Sequence, residues 1–197
     1  MTSSTSGPTS TSKRRASRGD PPRSTAAGVA LPASVARGVR ILGFDPGTVA
    51  TGYGLVRFEA GTLRLERCGV WRPGTDCTLA EKLRMLLAAA SELIEACRPD
   101  AISVETVFAA RNVSSTVKLA HARGVLLAAA AASGLPVFEY EPRLVKKALV
   151  GYGQAEKTQV RSMVLSLLAR QRERIPLDAA DALAVAICHI HAAPVRA

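Results

Sequence analysis

Residues 39–54 read VRILGFDPGTVATGYG, and this stretch decides the fold. Its first seven residues form a short apolar run that is typical of a central buried strand, and the run ends on Asp45. A Pro-Gly-Thr turn follows directly, and two segments of alternating apolar and polar residues come next, at 52–58 and 63–71. This alternation predicts a hairpin meander that extends the sheet from the first strand.

Beyond the meander, strand patterns and helix patterns alternate along the chain. Apolar spacing and the positions of Gly and Pro predict strands at 101–104 and 137–140 and helices at 79–94, 113–132, 142–149, 155–169 and 177–191. Three meander strands followed by alternating strands and helices predict an α/β domain, with a mixed five-stranded sheet flanked by helices. We expect residues 37–197 to form this single domain. Residues 1–36, rich in Ser, Thr, Pro and Gly, are expected to be a disordered basic arm.

The 197 residues include 26 Lys and Arg against 16 Asp and Glu, a formal net charge of +10. This excess indicates a polyanionic partner, with nucleic acid first and an anionic membrane surface second. Residues 1–40 hold seven of the cations and one acid, so the arm's basic cluster either contacts DNA phosphates or is a solvated tail. The longest apolar stretch, 124–132, is too short to span a bilayer. The four cysteines lack zinc-site spacing and are too few for a disulfide scaffold, which indicates reduced thiols.

Four carboxylates fall at positions that the predicted fold would bury. Asp45 and Glu105 each end an apolar strand, where an unpaired charge costs several kcal/mol of desolvation unless a cation compensates it. Asp178 and Asp181 lie three residues apart, on one face of the last helix, and residues 182–190 of that helix are nearly all apolar. A divalent metal would relieve the repulsion, because Mg²⁺ and Mn²⁺ prefer carboxylate oxygens. Separate surface acids, or acids that stabilise the positive end of the helix dipole, remain the simpler alternatives.

Two metals held by such acids can hydrolyse a phosphodiester, by activating water and stabilising the leaving oxygen. No Ser-His-Asp set, Walker A loop or GxGxxG motif in the sequence competes with this interpretation. His189 and His191 have the spacing of a metal-binding pair. Because they lie near the end of the last helix, we interpret them instead as cations favoured by the helix dipole.

Five sequence blocks resemble the RuvC family of bacterial Holliday-junction resolvases. The blocks are ILGFDPG with TGYG at 41–54, ETVF with ARGV at 105–125, VFEY at 137–140, VGYG with AEK at 150–157, and DAADALA at 178–184. They occur in the family's order and together span residues 39–191, which is the whole chain except the arm and the last few residues.

The resemblance implies an RNase H-like fold and a homodimer that resolves four-way DNA junctions. Each subunit would nick one of two opposing strands at symmetric positions, in homologous recombination and DNA repair. The resemblance also implies two Mg²⁺ or Mn²⁺ ions per subunit and no small-molecule cofactor. Further implications are a bacterial cytoplasmic location, a branch-migration motor as partner, and no membrane association.

The family's acidic tetrad falls on Asp45, Glu105, Asp178 and Asp181. Some family members carry His at the position of Asp178. Within the resemblance, Asp45 is expected to bridge both metals and Glu105 to bind one of them. The two helix acids would bind the other metal.

Several basic and aromatic residues match the family's DNA-binding positions. Lys146 and Lys157 resemble basic residues near the cleaved strand, where they would contact phosphate or stabilise developing charge. Phe108 matches an aromatic that stacks on an unpaired base at the junction centre, a contact worth about 1–3 kcal/mol. The other residues expected on the DNA face are Arg111, Lys118, Arg123, Arg143 and Lys147. The helix over 113–132 is rich in small residues, and in the family this region helps to form the dimer.

Three alternatives remain open at this point. The DPGT turn at 45–48 also resembles the phosphate loop of actin-like ATPases and sugar kinases, although those proteins need two such domains and this chain supplies one. A non-catalytic junction-binding module would be expected to have lost at least one of the four acids. A relative that acts on RNA, such as an RNase H, would differ in oligomeric state, because a resolvase needs the dimer.

Overall fold

The computed structural model describes residues 38–106, 113–170 and 174–193, together with Met1. Five strands form one sheet in the order β3-β2-β1-β4-β5. The strands are β1 (Val39–Asp45), β2 (Thr51–Glu59), β3 (Thr62–Trp71), β4 (Ala101–Glu105) and β5 (Val137–Tyr140). The first three are paired antiparallel, whereas β4 is parallel to β1 and β5 is parallel to β4. The predicted mixed five-stranded sheet is confirmed.

The five predicted helices are also present in the described part of the chain. They are α1 (Leu79–Cys97), α2 (Val113–Ala132), α3 (Pro142–Val150), α4 (Lys157–Leu167) and α5 (Leu177–Ala192). A capping box between Thr78 and Glu81 starts α1, because each residue's side chain bonds the other's backbone N–H. Helix α4 is shorter than predicted at both ends, since Glu156 is its N-cap and Leu168 its C-cap.

Helices cover both faces of the sheet. They must do so because successive residues of β1 point to opposite faces and those on both faces are apolar. Ile41 packs with α3, α4 and α5 on one face. Leu42 and Phe44 pack with α1 and α2 on the other. All three side chains are fully buried, so β1 is the central strand that its apolar run predicted.

Two glycines allow α5 to lie directly on the sheet. A methyl group on Gly43 in β1 would overlap the carbonyl oxygen of Ala182, and one on Gly52 in β2 would overlap that of Asp178. No residue with a side chain fits at either position unless the helix moves. The backbone of α5 is therefore in direct contact with β1 and β2, and this contact fixes where the first turns of the helix lie.

His189 corrects the interpretation of the C-terminal histidines. Its side chain is buried, with 2% exposure, and burial lowers its pKa to about 4, so the ring is neutral at pH 7. Its Nδ1 lies 2.6 Å from the Tyr140 hydroxyl, and its ring centroid lies 4.2 Å from that of Phe138. The expectation of a cation was wrong for His189, because α5 packs this face against β5; His191 is exposed.

Three expectations fall on residues that the structure does not describe. The arm at 1–36 lies outside the described residues, apart from Met1, as do Phe108 and Arg111. Within the described ranges, none of the helices has the length and apolar character that crossing a membrane requires.

Candidate active site

Asp45 and Glu105 lie side by side at one edge of the sheet. Parallel pairing of β1 with β4 runs up to Phe44 and Val104, and the two acids are the next residue on each strand. Because the carboxyl ends of parallel strands meet at the same edge, both side chains emerge there. The two acids of the sheet are thus neighbours, as their strand-end positions predicted.

The contact of α5 with Gly43 and Gly52 brings the two helix acids to the same edge of the sheet. Gly52 is the register partner of Asp45 across β1 and β2, and the backbone of Asp178 rests on Gly52. Asp181 follows one turn later on the same helix face. We refer to Asp45, Glu105, Asp178 and Asp181 as the four acids.

The four acids repel one another, and burial strengthens the effect. Burial raises the pKa of Asp45 to about 8, and the negative charges of Glu105, Asp181 and Asp178 act in the same direction. Burial also raises the pKa of Glu105 to about 7, again with a contribution from Asp181. Carboxylates with pKa values this far above the usual range lack enough positive charge around them, which is typical of functional sites.

Lys157, the first residue of α4, supplies part of the compensation. Its Nζ donates to Oδ2 of Asp181 at 2.6 Å, and the Asp181 side chain is only 14% exposed. Burial lowers the pKa of Lys157, but the bond to Asp181 and the charges of Asp45 and Glu105 outweigh it, so the pKa is raised overall. Lys146 on α3 is also close enough for its charge to lower the pKa of Glu105.

In the described ranges, Arg72 is, with Lys157, one of two cations hydrogen-bonded to the four acids, and the sequence reasoning missed it. Its Nη2 donates to Oδ2 of Asp178 at 3.0 Å, and the Arg72 side chain is 57% exposed. The residue directly follows β3 and is 106 positions from Asp178 in the chain. Only the antiparallel meander and the contact of α5 with the sheet bring these two residues together, so no local sequence signal points to the pair.

The remaining expected DNA-face residues have different surroundings. Lys118, Arg143 and Lys147 are exposed on α2 and α3. Arg123 forms an ion pair with Glu139 of β5, whose side chain is exposed.

The chemistry of the four acids fits divalent metal ions. Carboxylate oxygens are the preferred ligands of hard cations, and the repulsion among the acids favours any ion that neutralises it. In the ranges described, no three His, Cys, Asp or Glu side chains stand close enough together to enclose an ion. Asp178 and Asp181 are turned towards Arg72 and Lys157, so metal binding requires these two carboxylates to exchange their partners.

Comparison with known sequences gives one family. The family model described as crossover junction endodeoxyribonuclease RuvC matches residues 41–189. The RuvC of Syntrophomonas wolfei is 46% identical over 153 residues, which cover 78% of this chain and 89% of the relative. The RuvC of Solidesulfovibrio magneticus is 48% identical over 151 residues, which cover 77% and 89%.

Comparison with solved structures agrees with the sequence matches. RuvC of Thermus thermophilus, in complex with a Holliday junction substrate, superposes with a TM-score of 0.72 at 34% identity. The match covers 78% of this chain and 93% of that protein. The expected RNase H-like architecture is confirmed.

Proposed function

Because this chain belongs to the RuvC family of crossover junction endodeoxyribonucleases, we propose that it resolves four-way DNA junctions. Each subunit of a homodimer would hydrolyse one phosphodiester in one of two opposing strands, and the two cuts would lie at symmetric positions. The observation that carries the proposal is the convergence of the four acids at one sheet edge, with two cations against them. Structural, surface-exposed acids would not have the raised pKa values of Asp45 and Glu105.

The four acids would hold two Mg²⁺ or Mn²⁺ ions per subunit. Asp45, with neighbours on both sides at the sheet edge, is the proposed ligand of both ions. Glu105 would bind one ion, and Asp178 with Asp181 the other. When bound, such ions activate a water molecule and stabilise charge on the leaving oxygen, so hydrolysis needs no covalent enzyme intermediate.

The side chains around the four acids have separate tasks in this scheme. Lys157 partly neutralises the charge of Asp181, since the two form a 2.6 Å ion pair. Lys146 and Lys157 would contact the phosphates of the cleaved strand, and Lys118, Arg143 and Lys147 would hold the flanking DNA. Phe108 is proposed to stack on a base at the junction centre and Arg111 to contact DNA nearby.

Three further expectations rest on the family rather than on contacts within this chain. Helix α2, whose alanines leave room for close approach, would contribute to the homodimer. A branch-migration motor would act as partner. The site of action would be the bacterial cytoplasm.

A non-catalytic junction-binding module is the second candidate, and cleavage by the wild-type protein distinguishes the two. The substrate is a synthetic four-way junction with a core that can migrate, incubated with Mg²⁺, Mn²⁺ or EDTA, and cuts are mapped on denaturing gels. We expect paired nicks on opposing strands that require metal, with linear duplex left intact. A tight shifted complex without nicks in either metal would instead support the binding module.

The assignment of the acids is tested by Asp45→Asn and Glu105→Gln. Each variant removes one negative charge and one oxygen ligand while keeping the side-chain shape. We expect both to lose cleavage and to keep junction binding in a gel-shift assay with EDTA. Cleavage by either variant at a rate near wild type would show that the metal site lies elsewhere.

A further inference from the structure

The edge that carries the four acids continues to the opposite border of the sheet. The strand order places β3 two strands from β1 on one side, and β5 two strands from β1 on the other. Trp71, the last residue of β3, is the register partner of Thr51 at the start of β2, so Arg72 leaves the sheet at this same edge. Helix α3, which carries Lys146, leaves from the β5 side. Arg72 and Lys146 thus flank the four acids from opposite sides.

A cavity of about 260 Å³ opens beside Arg72. Thr48 and Thr51 line one wall, close to Asp45 in sequence, and Arg72 lines a second wall. The third wall is α1, which contributes Lys82 together with apolar side chains. Of the described residues that line the cavity, two are cations and none is an acid.

The free hydrogen-bonding capacity at this cavity suits a phosphate. Arg72 has five N–H donors in a planar fork, and its bond to Asp178 uses one nitrogen, Nη2. The side chain is 57% exposed, so its other donors are open to solvent. Acids near the start of α1 are already bonded locally, since Glu81 accepts from Thr78 and Asp76 from Thr75. The two cations of the cavity are therefore available to an anion from outside.

We propose that Arg72 and Lys82 form a phosphate-binding subsite for the cleaved DNA strand, on the side of the four acids opposite Lys146. The apolar side chains of the cavity then lie against the adjoining deoxyribose. The subsite extends the proposed junction cleavage, on which it rests.

The spacing sets which phosphate this is. Neighbouring strands lie about 4.8 Å apart, so the end of β3 is about 10 Å from the end of β1. Successive phosphates of one DNA strand advance about 3.4 Å along the helix axis and also turn around it, so that they lie about twice that distance apart in space. The bound phosphate is therefore one or two nucleotides from the scissile one.

The test combines charge-neutral DNA with charge-neutral variants. Junctions are synthesised with a single uncharged methylphosphonate at each successive position of the cleaved strand, and their dissociation constants are measured in EDTA. We expect wild type to lose roughly 10-fold in affinity when the phosphate one or two nucleotides from the cut is neutral. Arg72→Gln with Lys82→Gln should bind the normal junction as weakly as that, and should no longer respond to the same methylphosphonate.

Two controls separate this subsite from general charge loss and from misfolding. Arg64→Gln removes an exposed cation of the same strand, β3, at the end remote from Arg72, and should keep the wild-type response to the methylphosphonate. Arg72→Lys keeps the positive charge and should restore part of the affinity. The slope of log affinity against log salt should fall by about one for each phosphate that the variant no longer binds.

The outcomes are distinct from those of the proposed function. If the double variant responds to every methylphosphonate as wild type does, or binds the normal junction as tightly, the subsite does not exist. A wild-type protein that neither binds nor cuts the junction would refute the junction activity itself, before any variant is compared.

Discussion

The close contact between the backbone of α5 and Gly52 yields a quantitative prediction for Gly52→Ala. The new methyl group would overlap the carbonyl oxygen and carbon of Asp178 and would lie 3.1 Å from the backbone nitrogen of Ala179. All three atoms are backbone, so no side-chain rotation relieves the overlap. The start of α5 must withdraw by roughly 1 Å to restore van der Waals contact.

Two magnitudes follow from this displacement. Overpacking of this kind costs about 1–3 kcal/mol of unfolding free energy. For a domain of this size that corresponds to a fall in Tm of roughly 2–12 °C. A displacement of about 1 Å at catalytic groups costs on the order of 100-fold in rate, so cleavage should fall far more than stability alone explains.

The assay is single-turnover cleavage of a four-way junction in Mg²⁺ well below Tm, with Tm measured in parallel. Gly61→Ala is the matched control, because Gly61 has φ +76° in the β2–β3 turn and nothing lies within 4 Å of its added methyl. Strain there costs about 1–2 kcal/mol, at the far end of the hairpin from the four acids. If Gly52→Ala cleaves the junction as fast as Gly61→Ala at equal Tm, the contact of α5 with Gly52 does not position Asp178 and Asp181.

Two further predictions concern stability. The pKa of His189 is about 4 in the folded protein and about 6.5 when unfolded, so its contribution is complete above pH 6.5 and is lost as pH falls towards 4. The loss amounts to about 3 kcal/mol, and urea unfolding of wild type and His189→Gln across pH 4–7 should give curves that converge at low pH; parallel curves would contradict the assignment. Thr78→Ala removes the N-cap of α1 and should cost about 1 kcal/mol, a Tm fall of roughly 2–4 °C by calorimetry, whereas an unchanged Tm would show that the capping box contributes nothing.

The fold could be predicted from the sequence because its signals are local. The apolar run that ends at Asp45 and the alternation after it define the central strands without knowledge of the rest of the chain. The four acids were also accessible, since a carboxylate that ends a buried strand or lies on an apolar helix stands out in the sequence. Helix ends were less exact: Ala155 and Ala169 suit a helix by propensity, yet Glu156 and Leu168 cap α4 inside them.

The features that the sequence did not reveal depend on long-range packing. Arg72 meets Asp178 across 106 positions, and the identity of neither residue specifies the other. His189 is neutral because β5 covers its face of α5, a fact that helix position alone cannot supply. Arg123 has the character of a DNA contact in the sequence, and only the packing of α2 beside β5 pairs it with Glu139.

Asp178 is positioned by a backbone contact and only weakly by its cationic partner. Exposed ion pairs such as Arg72 with Asp178 contribute about 0–1 kcal/mol, because water screens both charges. The contact of Asp178 with Gly52 is a steric contact between the backbones of α5 and β2, and no side-chain rotation can adjust it. The backbone therefore holds the acids in place, while the carboxylate of Asp178, whose ion pair is exposed, can change partner at little cost. For the proposed metal centre this combination is favourable, since a rigid frame sets the geometry and a weak ion pair leaves Asp178 free to turn towards an ion.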